Sequence, residues 1–213
     1  MQHLLQRWNG LMGRLRVPEN MNKSWFNIVT NHYQENWRFY HNLNHIQELY
    51  MFYDQYQTKL NNKECIELAI WFHDVIYTPS QNNNEEMSAE LYRTFCDEAR
   101  PPTDLHQPVH DYILSTKAHK VTSDCADRDL KYFLDFDLAV LGKDLQDYML
   151  YAEQIRQEYL PVYPEPKYTQ GRIKVLGKLK EGGLFLTPEF QQLYENKAIQ
   201  NITHEMNLLQ SQL

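Results

Sequence analysis

A chain of 213 residues, 42% hydrophobic and 23% charged, has ordinary globular usage and enough length for one compact domain with a sizeable core. A net charge of −7 with no basic stripe argues against a nucleic-acid polymer as main partner, since no row of cations exists to displace phosphate counterions. No apolar run reaches about 18 residues and no charged-then-apolar leader opens the chain, so neither a membrane span nor a signal peptide is expected, and the expected location is cytoplasmic. Fifteen tyrosines against seven glycines suit long aromatic-lined helices better than turn-rich sheets. Cys65, Cys96 and Cys125 show no close-spaced metal motif and read as free thiols.

Nearly every segment has helical period. Leu4, Trp8, Leu11 and Leu15 make the first apolar stripe, and Met21, Trp25, Ile28 and His32 the second. "HIQELYMFYDQY" and "CIELAIWFHD" follow, joined by "TKLNNK". Asn83 with Glu86 three residues on has the form of a capping box opening "MSAELYRTFCDEA". A helix from Pro108, a helix closing at Gly142 as C-terminal cap, and two further helices separated by the stiff "LPVYPEPK" come next. The last begins with Thr187 as N-cap and Pro188 after it. The expected fold is all-α, a single domain of about nine or ten helices over 1–213, its core roughly 20–185 and its C-terminal helix 188–210 packed on it.

His73 and Asp74 interrupt the apolar run "ELAIWFHDVIY" near the end of a buried helix. An ionisable pair in such surroundings costs several kcal/mol or more unless each member finds a partner. Adjacent helical positions point about 100° apart, so the two should not face each other well, yet both can reach one ion. Other chemistry-bearing residues stand within reach of the same idea. His41 and His45 share an i, i+4 spacing. Asp135 and Asp137 sit in an apolar helix, the former reading as a solvated or capping acid. His106, His110 and His119 read as solvent-exposed.

In order, His45, His73-Asp74 and Asp137 give the pattern His…His-Asp…Asp, and with "RFYHNLNHI", "FHDVIY", "NEEMSAE" and "DFDLAVLG" the chain resembles the HD superfamily of metal-dependent phosphohydrolases. The closest similarity is to a subgroup of predicted HD phosphohydrolases of about this length. The resemblance implies an HD-type helical bundle in which His45, His73, Asp74 and Asp137 ligate a divalent cation. The mixed imidazole–carboxylate set suits Mn²⁺, Fe²⁺, Co²⁺, Ni²⁺, Zn²⁺ or Mg²⁺ without choosing among them. The implied substrate is a small phosphorylated metabolite, attacked by metal-activated water with Asp74 and Glu85 as catalytic residues and the phosphate held by some of Arg38, His41, Lys117, His119 and Arg172. HD hydrolases of nucleotides and alarmones place an acid three residues after the dyad's Asp. Here positions 76–78 are Ile76, Tyr77 and Thr78, which weighs against both of those substrate classes and moves the expected base to Glu85 or to an acid behind the ligands. Two alternatives stand beside this expectation: an HD-fold di-iron oxygenase completed by His110 and His119, and a non-catalytic metal-binding module.

Overall fold

A computed structural model describes residues 1–122 and 125–213. Among them are ten helices and no strand, counting the unbroken helical run 188–210 as one, which agrees with the periodicity. In chain order they are α1 (Gln2–Arg14), α2 (Glu19–Tyr33), α3 (Leu43–Tyr56), α4 (Lys63–Phe72), α5 (Asn84–Ala99), α6 (His106–Ser115), α7 (Arg128–Leu138), α8 (Leu145–Tyr159) and α9 (Lys167–Lys180). The last run comprises α10 (Pro188–Phe190), a π-helical turn and α11 (Asn196–Gln210). None of the described helices is long and apolar enough to cross a membrane. The three cysteines are free.

The chain divides into two compact units, Met1–Phe133 and Leu134–Leu213. In the first, α4 packs against α3, α5 and α6, and every residue from 65 to 72 is buried. That is why its sequence is a continuous apolar run rather than an amphipathic one. Around it, Trp8 of α1 meets Trp71 edge-on with ring centroids 5.2 Å apart, Trp25 of α2 meets Phe95 of α5 at 5.3 Å, and Phe72 meets Tyr92 at 5.2 Å. The first stripe is buried as expected. On α2 the buried set is Trp25, Val29, Thr30 and Tyr33, and Ile28 and His32 are half-buried, so the apolar stripe runs at i, i+4, i+8 from Trp25.

In the second unit, α11 packs against α8 and α9. Gly142 is not a left-handed helix cap. It sits where a Cβ would lie 2.6 Å from the Tyr194 Cβ, so glycine is required there for close approach. Thr187 is at the N-cap position of the last helix, but its hydroxyl donates to Asp135, whose carboxylate also accepts the Leu186 and Thr187 backbone N–H groups. Asp135 is therefore the capping acid, buried rather than solvated, and burial raises its carboxyl to about 6.

Candidate metal centre

Three donor atoms converge at the C-terminal end of α4. The helix stops at Phe72, His73 is its C-cap, and Asp74 is already off the helix. Past the end of the regular helix, the two side chains do face each other. Asp74 Oδ2 is 3.1 Å from His73 Nε2. His45, in the first turn of α3, brings its Nε2 to 3.1 Å from His73 Nε2 and 3.9 Å from the same Asp74 oxygen. Both histidines are buried and Asp74 is half-buried.

His73 Nδ1 lies 3.1 Å from the Ile70 carbonyl oxygen. A carbonyl can only accept, so Nδ1 carries the hydrogen and the neutral ring presents a lone pair at Nε2. That lone pair faces a carboxylate oxygen and a second imidazole nitrogen. Three such atoms this close to one another need a proton or a cation among them. The triangle they form has a centre about 2.0 Å from each corner, the length of a first-row metal–nitrogen or metal–oxygen bond. The donor set thus fits a divalent ion.

Arg38 holds this geometry from behind. Its Nη1 donates to the Asp74 carbonyl at 2.7 Å and the His41 carbonyl at 3.1 Å, and its Nη2 donates to the Val75 carbonyl at 2.9 Å. Its Nε reaches Glu35, and Tyr33 and Tyr77 stack about the guanidinium. Carbonyls left over at a helix end need such donors. Arg38 is buried and occupied by these backbone groups, so it is a positioning residue and not the phosphate ligand the sequence suggested. Arg172 is also unavailable to phosphate. In the second unit it is buried and bonded through Nε and Nη2 to Glu205.

The "NEEMSA" segment acquires a structural reason. Asn84 bonds both the N–H and the carbonyl of Thr78, and the Ser88 hydroxyl bonds both backbone groups of Ile76. These bonds stitch the first turns of α5 to the strand of chain that leaves the dyad. The expected capping box does not form, since Asn83 makes no side-chain cap and Glu86 pairs with Lys117 instead. Between Asn84 and Glu86, half-buried Glu85 has its carboxyl raised by burial and then by the charge of Asp74, with Lys117 pulling the other way. Lys117 also donates to the Asn82 carbonyl at 2.8 Å and is exposed.

His41 precedes α3 rather than sharing a helical face with His45, because Asn42 caps that helix by accepting from the Asn44 N–H at 2.8 Å. The His41 ring packs on Tyr77 with centroids 4.1 Å apart and stands 6.2 Å from the His45 ring. Among the described residues, the cluster able to share one ion is His45, His73 and Asp74, and neither His110 nor His119 joins it. His106, His110 and His119 are half-buried rather than exposed. His106 lies 3.2 Å from the Pro101 carbonyl, His110 lies 3.4 Å from Asp111, and His119 takes a positive φ of 48° just beyond α6. Asp137 is half-buried on α7 and belongs to the second unit.

The sequence reading missed Glu67, buried on α4, where Tyr53 and Arg14 both donate to it. The signal was present: it is the one acid inside "CIELAIWF". No protein-family model, curated protein or solved structure matches the chain.

Proposed function

We propose that the chain is a metal-dependent hydrolase of a small phosphorylated metabolite, a phosphomonoester or phosphodiester, nucleotides included. The observation that carries the reading is the convergence of His45 Nε2, His73 Nε2 and Asp74 Oδ2 within 3.9 Å of one another. His45, His73 and Asp74 would hold the ion. When bound, a divalent ion polarises a phosphoryl oxygen and lowers the pKa of water towards neutrality.

The chain's own residues supply the rest. Glu85, with its carboxyl raised by burial, accepts the proton of the attacking water. Lys117 and His41 offset phosphate charge, since phosphoryl transfer depends mostly on positioning and neutralisation. Arg38 fixes the backbone at Asp74 and ahead of α3, which keeps the donors converged. The test is a screen of phosphate mono- and diesters with each divalent metal in turn. Turnover that requires metal and vanishes in Asp74→Ala supports the reading. No turnover on any ester by a metal-loaded chain overturns it.

A further inference from the structure

A second site opens in the first unit. A cleft of about 510 Å³, within the ordinary range for small-molecule sites, is walled by α1, α3 and the start of α4 and shares no residue with the dyad cluster. One wall is a stripe on α1: His3, Arg7, Gly10 and Arg14, each one residue before the core stripe Leu4, Trp8, Leu11 and Leu15. These positions share one helical face. Glycine is a poor choice for a helix interior, and at position 10 it leaves the middle of that face bare.

The cations around this gap are held in place. Two acids clamp Arg14: its Nε donates to Glu64 at 3.0 Å and its Nη2 to buried Glu67. That leaves Nη1, which lies 3.7 Å from where a Cβ on Gly10 would be, so the remaining donor of a fixed guanidinium faces the gap. Arg7 is steadied by Asp54 through Nη2 and by the Tyr50 ring 4.9 Å beneath it. Lys63, at the start of α4, adds a third cation to the lining, against two acids. Both acids bond Arg14, which leaves Arg7 and Lys63 beside Arg14 Nη1 as the cations of the lining.

We propose that this cleft binds a small oxyanion-bearing molecule, a carboxylate or phosphate of metabolite size, through Arg7, Arg14 Nη1 and Lys63. The site stands whatever the dyad holds. The probes are inorganic pyrophosphate and succinate, titrated calorimetrically into the full chain carrying Asp74→Asn, which removes the metal site as a binding place. Saturable binding of either probe is expected, and which of the two binds identifies the phosphate or carboxylate source. Lys63→Gln should weaken it about fivefold, the effect of losing one solvent-screened charge contact. Gly10→Leu, a helix-favouring change that fills the gap, should abolish it with helical content retained. Binding seen only with Asp74 intact would place the probe at the dyad and overturn the cleft while leaving the hydrolase reading in force. No binding of either probe, or binding indifferent to both Lys63→Gln and Gly10→Leu, overturns it as well.

Discussion

Arg38 donates to the carbonyl oxygen of Asp74 at 2.7 Å, gripping the backbone of the acid rather than its carboxylate. The acid thereby keeps its side chain for His73 and His45, and the guanidinium sets where it points. Lysine has the charge but not the fork, and cannot reach the Asp74, Val75 and His41 carbonyls together. Arg38→Lys should lower metal affinity by about 10- to 100-fold, as losing an outer support of a ligand does. It should also cost about 1–3 kcal/mol of stability from buried carbonyls left without donors. Metal titration and urea unfolding read the two effects separately.

Asp74→Ala should end both metal retention and hydrolysis with far-UV dichroism nearly unchanged, because Asp74 lies beyond the last turn of α4. In the unsubstituted chain, a metal entering the cluster would displace any proton shared by His45, His73 and Asp74. Binding should therefore release protons and weaken as pH falls. Calorimetric titrations in two buffers of different ionisation enthalpy should give different heats, and equal heats would count against ligation by these side chains.

Glu85→Gln should leave metal binding intact while kcat falls by about 10²- to 10⁴-fold, the usual worth of a positioned base. The base works only when ionised, and burial raises its carboxyl. Activity should thus decline on the acid side as Glu85 takes up its proton, and that limb should be missing from the residual activity of the glutamine variant.

Asp135 makes a stability prediction independent of the dyad. With its carboxyl raised from 3.8 to about 6, the folded chain binds more protons than the unfolded chain between those values. Stability from this group is full below the lower value and is lost as pH rises through the upper one. Asp135→Asn removes that slope and, by presenting an amide to donor groups, should cost about 1–3 kcal/mol. Urea unfolding of both proteins between pH 4 and 7 gives the difference.

The helices, the dyad and its partner His45 were legible because apolar period and a buried ionisable pair are local signals. The tasks of individual polar residues were not. Arg38 is spent on carbonyls 36 and 37 residues away, and Asp135 caps backbone 51 and 52 residues away. Nothing in the flanking sequence announces either partner. Gly142 is another case, being small because Tyr194 lies against it. The sequence also drew His41 and His45 onto one helical face, and only the Asn42 cap shows that the helix begins between them.

A helix with no solvent face has nowhere to drift. On most helices about half the positions accept almost any polar residue, and descendants wander there freely. Between 65 and 72, α4 offers no such position, since every residue there is buried. Enlarging one overpacks and shrinking one leaves a hole, each at a cost of about 1–5 kcal/mol. A library of single substitutions across the whole chain should find this octet among its least forgiving stretches, Glu67 included, in a screen for folded protein that never assays the dyad.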